Sequence, residues 1–252
     1  MAEPKRLYQK VGAQLKTLLA SGQYAVGSRL PPERDIAELL GVSRVVIREA
    51  LVMLEVEDIL EVRRGSGVYV LRLPSQDSSR QSDYQPFGDD VGPFEMLQAR
   101  QLLESQVAAF AATQVNKSDI AEMRQALAHE RQSLEAGLTD YDGDEKFHLL
   151  IARATQNALL EEMVYTLWLR RQSSPMWQKL HTHIVGQDYR LKWLEDHHGI
   201  LMALQQRDPK KARQAMWQHL ENVKQTLLTL SDSEDPGFDG YLFTSIPAVI
   251  NE

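Results

Sequence analysis

The chain has 252 residues, more than one ordinary domain core requires, and its 43% hydrophobic and 25% charged content excludes a disordered or fibrous class. Cysteine is absent, which excludes disulfides, thiolate catalysis and cysteine-type zinc sites and leaves His and carboxylate as metal ligands. The net charge of -7 argues against nucleic acid only when read globally, because residues 1–72 carry eleven Lys/Arg against nine Asp/Glu while the rest carries seventeen against twenty-six.

No run reaches the ~18 to 20 apolar residues of a membrane span, and Met1 to Arg6 lack a signal-peptide core, so a cytoplasmic protein is expected. Leu7, Val11, Leu15, Leu18 and Leu19 recur at helical spacing, and Ser21-Gly22 ends that first helix. Pro31-Pro32 stands at the entrance of a second helix that runs to Gly41. Ser43 is a good N-cap for a third, whose inner face is Ile47, Ala50, Leu51 and Leu54. Two short helices around a Gly-containing turn suggest helix-turn-helix. Leu60–Arg63 and Val68–Leu71 read as strands joined by Arg64-Gly65-Ser66-Gly67, a hairpin in the place of a wing.

Arg44 and Arg48 are one helical turn apart, on a face expected to be exposed opposite the apolar stripe. Residues at the start of a recognition helix reach base edges in the major groove, where Arg forks match guanine. Arg34, Arg63 and Arg64 are placed for phosphate contacts. One surface arginine is ordinary; this ordered set is not. The stretches Leu30-Pro31-Pro32-Glu33-Arg34-Asp35-Ile36-Ala37, Val42-Ser43-Arg44, Arg48-Glu49-Ala50-Leu51 and Gly65-Ser66-Gly67 resemble the GntR-type winged helix. The resemblance implies that Arg34, Ser43, Arg44, Arg48 and the wing residues Arg64, Gly65, Ser66 and Gly67 bind operator DNA, as a homodimer on a pseudo-palindromic site.

Residues 74–92 are rich in Ser, Gln, Asp, Gly and Pro and read as a linker between a 6–73 head and an all-helical 93–230 body; 231–252 is a tail. In the body, Asp144 and His148 are one turn apart on a stripe continued by Phe147, Ile151 and Thr155. His197 heads the stripe Ile200, Leu201, Leu204, and His219 lies on Ala212, Ala215, Met216, Val223. Asp208-Pro209 marks the turn between these two helices, and each His is eleven residues from Asp208. At ~1.5 Å per residue both imidazoles lie ~16 Å from the turn, so they are expected to face each other. One inward His is ordinarily a hydrogen-bonded core residue. Asp144, His148, His197 and His219 together point to a divalent metal, Zn, Ni, Mn or Fe, while His129, His181, His183 and His198 fall off the pattern.

Arg100-x-x-x-Glu104, Asp144-x-x-Phe147-His148, Asn157, His197-x-x-Ile200-Leu201 and His219-Leu220 resemble the metal-binding FCD domain of the FadR subfamily. That implies a mainly α fold, a winged helix-turn-helix followed by six or seven helices, with the four ligands holding the metal. It also implies a carboxylated effector near Arg100 and Asn157. Further stretches, among them Pro175-Met176-Trp177 and Phe238-Asp239-Gly240-Tyr241-Leu242-Phe243, are similar to hexuronate-utilisation regulators of the UxuR and ExuR kind, the former more closely. The function this implies is repression of hexuronate catabolic genes, relieved by a sugar acid. Two alternatives are a regulator answering another acid, such as lactate or a fatty acyl group, and a metal-dependent hydrolase. Against the hydrolase, no inward carboxylate stands out near the four ligands as a general base.

Overall fold

The computed structural model describes residues 6–63, 66–74, 91–138, 142–183 and 188–230. Most of the expected linker, the wing residues Arg64 and Gly65, and the tail lie outside the described residues. Helix α1 (Leu7–Ala20) buries Tyr8, Val11, Leu15 and Leu19 at the spacing of one helical face. Helix α2 (Glu33–Leu40) starts after Pro32 and stops at Gly41, whose φ of 64° is the left-handed conformation that lets its amide turn back to the last carbonyls. Helix α3 (Arg44–Val56) is capped by Ser43, whose hydroxyl accepts from the Val46 amide at 3.4 Å.

Strands β1 (Leu60–Arg63) and β2 (Gly67–Val70) pair antiparallel, with Leu60 opposite Val70 and Val62 opposite Val68. The second strand begins one residue before the expected Val68, because Gly67 at φ 105° pairs with Arg63. The other edge of β2 is also covered: the Leu30 amide donates to the Val68 carbonyl and the Val70 amide to the Ser28 carbonyl. That lateral strand-like segment has no alternating pattern long enough to announce it.

Seven further helices follow among the described residues: α4 (Pro93–Gln114), α5 (Lys117–Glu135), α6 (Asp142–Arg153), α7 (Ala158–Ser173), α8 (Pro175–Thr182), α9 (Asp188–Gln205) and α10 (Pro209–Leu230). Side-chain caps set several of their starts. Asn116 accepts from Ser118 and Asp119 amides, Ser174 from Trp177, and Asp208 from Lys211. Helices α4 and α10 run antiparallel, since Gln101 reaches Trp217 and Glu221 while Arg207 reaches the Val115 carbonyl. Helix α6 packs on α5 so closely that a Cβ on Gly143 would meet the Glu130 backbone at 2.8 Å.

The expected exposed face of α3 needs correction. Every residue from Ile47 to Glu55 is buried, Arg48 among them at 4% exposure. The reason is contact with the body. Arg48 donates to the Leu228 carbonyl at the end of α10, Glu49 accepts from the first amides of α4, and Glu55 meets His183 after α8. Sequence periodicity reports the apolar face of a helix and is silent on what a distant segment lays over the polar one.

Candidate metal centre and nucleic-acid interface

Helix α6 supplies Asp144 and His148, α9 supplies His197 and α10 supplies His219, and one donor atom from each lies within 4.8 Å of all the others. All four are buried. The Nε2 atoms of His197 and His219 are 3.1 Å apart, as the equal spacing from Asp208 demands of an antiparallel pair. Asp144 Oδ1 lies 3.4 Å from His148 Nε2 and 3.5 Å from His197 Nε2.

Each imidazole is backed by a carboxylate. His148 Nδ1 donates to Glu104 on α4, His197 Nδ1 donates to Glu130 on α5 at 3.0 Å, and His219 Nδ1 is 3.5 Å from Asp196 on α9. A neutral imidazole whose Nδ1 proton points at a carboxylate presents a bare Nε2 lone pair on its other side. The Nε2 atoms of the three rings and an Asp144 oxygen therefore converge, and neither His148 Nε2 nor His219 Nδ1 has a hydrogen-bond partner. Burial, then the neighbouring His197, depress His219 to a pKa of about 3, which keeps it neutral. Burial works against ionisation of Asp144, but His148 and His197 outweigh it and hold its carboxyl well below the usual range. Burial would likewise lower His148, but Glu104 and Asp144 raise it. Three imidazoles and a carboxylate form a donor set that fits a divalent cation, which would displace any proton held at His148 Nε2.

Glu104, which stands in the Arg100-x-x-x-Glu104 motif without an assigned role, and Glu130, which no motif names, are both inward carboxylates. Both are occupied in holding imidazoles, so neither stands as a general base facing the centre. Glu130 was legible in principle, one turn after the buried Ala126 and Leu127 on the same face of α5. Arg100 is also committed. Its Nε donates to Glu104 Oε1 at 2.6 Å and its guanidinium lies 4.2 Å over the Trp168 ring. With Arg100 and His148 beside it, Glu104 is held at a pKa of about 2 despite its burial. A second guanidinium, that of Arg171, lies 4.7 Å over the same Trp168 ring, and its charge also reaches Asp144. Asn157 is placed differently from the expectation: it is exposed and accepts from the Leu159 and Leu160 amides as the cap of α7.

In the head, Arg34 is open to solvent, with 77% of its side chain exposed beside Asp35. Ser43 caps α3. Arg44 keeps 15% side-chain exposure, 4.0 Å from Glu33. Arg48 makes a two-pronged pair with the buried Glu33, at 2.7 and 2.9 Å from Nε, and this pair was not foreseen. Ser66 Oγ hydrogen-bonds Tyr69 at 2.8 Å, and Gly67 is buried against Arg29.

Two family models match the chain: the gntR family of bacterial regulatory proteins over residues 7–70 and the FCD domain over 95–222. A Uxu operon regulator of Haemophilus influenzae is 50% identical, across 97% of this chain and 91% of its own length. The Uxu operon transcriptional regulator of Escherichia coli is also 50% identical, across 96% and 95%. An Exu regulon transcriptional regulator of Escherichia coli is 45% identical, across 99% and 95%.

Proposed function

Because this chain belongs to the gntR family of bacterial regulatory proteins and carries an FCD domain, we propose that it represses hexuronate catabolic genes and is released by a sugar acid bound beside a divalent metal. It is a transcriptional regulator and not an enzyme, as its full-length relatives are. The observation that carries the metal and effector reading is the convergence of three buried imidazoles and Asp144, whose ligand atoms all lie within 4.8 Å of one another, with His148 Nε2 unpartnered. Asp144, His148, His197 and His219 would hold the ion, and the ion supplies a Lewis-acidic position for a carboxylate. Arg100, beside Glu104 at the edge of the centre, is the nearer of the two expected anchors; nothing supports Asn157 in that role. This reading takes 6–73 as the head, 74–92 as the linker and 93–230 as the body, supported by family-model spans of 7–70 and 95–222 that fall inside the head and the body.

Arg34, Ser43, Arg44, Arg48 and the wing from Arg64 to Gly67 form the DNA-binding set of this reading. A pseudo-palindromic operator needs two heads, and the surface of α4 and α7 supports a homodimer. From Met96 to Gln114 the charged residues are Arg100 and Glu104, and both are buried, so this stretch of α4 shows solvent Leu102, Phe110 and uncharged polar groups. Leu159, Met163 and Leu169 are exposed on the neighbouring α7. Depletion of charge with exposed large apolar groups is the signature of an interface core. No helix among the described residues is long and apolar enough to cross a membrane, and a cytoplasmic location follows from this reading.

Thermal-shift screening of metal-loaded protein against D-glucuronate, D-galacturonate, their keto-isomers and L-lactate tests the effector. Stabilisation by a hexuronate or its keto-isomer is expected; stabilisation by lactate alone would replace the hexuronate with another acid.

A further inference from the structure

We infer that two adjacent residues of α3, Arg48 and Glu49, clamp the DNA-reading head onto opposite helix poles of the body, and that the clamped arrangement is the DNA-released form. The inference rests on the regulator reading above and adds the route by which the metal centre reaches the recognition helix.

A helix ends in unpaired amides with partial positive charge at its N-terminus and unpaired carbonyls with partial negative charge at its C-terminus. Because α4 and α10 are antiparallel, the first turn of α4 and the last turn of α10 lie at the same end of the body. Helix α3 answers the carbonyl pole with a guanidinium and the amide pole with a carboxyl oxygen. Arg48 Nη1 donates to the Leu228 carbonyl of α10 at 2.8 Å. Glu49 Oε1 accepts from the Phe94 amide at 3.0 Å and the Glu95 amide at 2.9 Å, at the start of α4. Gly92 leaves the room for this, since a Cβ there would overlap the Glu49 carboxylate. The far end of α3 is pinned as well, with Glu55 2.8 Å from His183 and 3.6 Å from Lys179.

The clamped helices are the ones that carry the metal centre. Glu104, which holds His148, is nine residues from Glu95 along α4, and His219 is nine residues from Leu228 along α10. At ~1.5 Å per residue each path is a rigid rod of ~14 Å. A ligand that holds α4 and α10 in this register at the metal centre therefore keeps the two caps at the spacing that Arg48 and Glu49, neighbours on one helix, can both reach, and a slip of one helix against the other opens the clamp. In the clamped state Arg48 is committed to Glu33 and Leu228, and Ile47 to Glu55 are buried, so this part of α3 is closed to base edges. Effector binding stabilises the clamp; operator binding requires its release.

The test uses full-length, metal-loaded protein, with Glu49→Ala to remove the acceptor and Gly92→Ala to push the carboxylate aside. Metal content and melting temperature check the fold. Hydrogen exchange at the Phe94 and Glu95 amides is expected to quicken at least about tenfold in both variants, since each amide loses its carboxyl acceptor. Affinity for a duplex selected from random-sequence DNA by the wild-type protein should rise about tenfold without any sugar acid, by removal of a competing state. Unchanged exchange at both amides would overturn the clamp. Faster exchange with unchanged or weaker duplex affinity would overturn its assignment to the DNA-released form. If the wild-type protein selects no duplex, the regulator reading fails, and the exchange result still decides the clamp.

Discussion

Arg44 and Arg48 sit one turn apart on the same helix, yet the structure gives them different physical duties. Arg48→Ala would leave Glu33 buried without its partner, which costs about 3 to 5 kcal/mol, so this variant should melt early and lose DNA binding through instability. Arg44→Ala is the clean probe of base reading: denaturant unfolding should be near wild type, while operator discrimination falls by about 1 to 3 kcal/mol per half-site. Arg34→Ala, at an open position, should weaken all sequences alike and reduce the salt slope by about one. At the metal centre, Glu104→Gln and Glu130→Gln replace the charged acceptors behind His148 and His197 with neutral amides, so metal affinity should drop about 10- to 100-fold with helicity retained. Competition against a chelator reads this directly. Glu49 supplies a pH signature. Burial, and then the nearby Glu95, raise its pKa to about 7, against opposing contributions from the α4 amides and Arg6. Between the ordinary carboxylate value and 7 the folded chain holds a proton that the unfolded chain has lost, so this residue makes stability fall as pH rises through that window. Glu49→Gln should flatten that part of the stability profile; an unchanged slope would mean that Glu49 ionises normally.

Among the elements, helices with one apolar face were legible because their burial is local. Tyr8, Val11, Leu15 and Leu19 of α1, and Ile47, Ala50, Leu51 and Leu54 of α3, repeat at helical spacing, and proline, serine and glycine punctuate their ends. The pairing of His197 with His219 was legible for the same reason, since counting from Asp208-Pro209 fixes the level of both rings. The polar side of α3 was not legible: Arg48 finds Leu228 across 180 residues of sequence, and no local pattern encodes that. The roles of Glu104 and Glu130 were missed because a lone carboxylate on a mixed helix looks the same whether it meets water or an imidazole. Gly143 tests how far α6 depends on its approach to α5. Its Cβ would meet backbone, which cannot swing aside, so Gly143→Ala should displace Asp144 and Glu130 together and lower both melting temperature and metal content. Wild-type metal stoichiometry and stability in that variant would show that the two helices have slack.

For the molecule as a whole, a mildly basic head on an acidic body is the division expected of a chain that meets DNA at one end. The uncharged side of α4 and the apolar residues of α7 are the surface on which the proposed self-association of the body rests. Phe110→Glu or Met163→Glu would place a charge on that face, and sedimentation should then show monomers that bind half-sites weakly. The central claim is that one buried centre links metal, sugar acid and operator. Operator titrations with and without the sugar acid found by thermal shift, on metal-loaded wild-type protein and on His219→Ala, test it most directly. The account predicts about 100-fold weaker operator binding when the sugar acid is added to wild type, equivalent to ~2.7 kcal/mol of coupling, and a metal-poor His219→Ala protein that still binds operator but no longer responds. A His219→Ala protein that lacks metal and is still released from its operator at the wild-type sugar-acid concentration would contradict it.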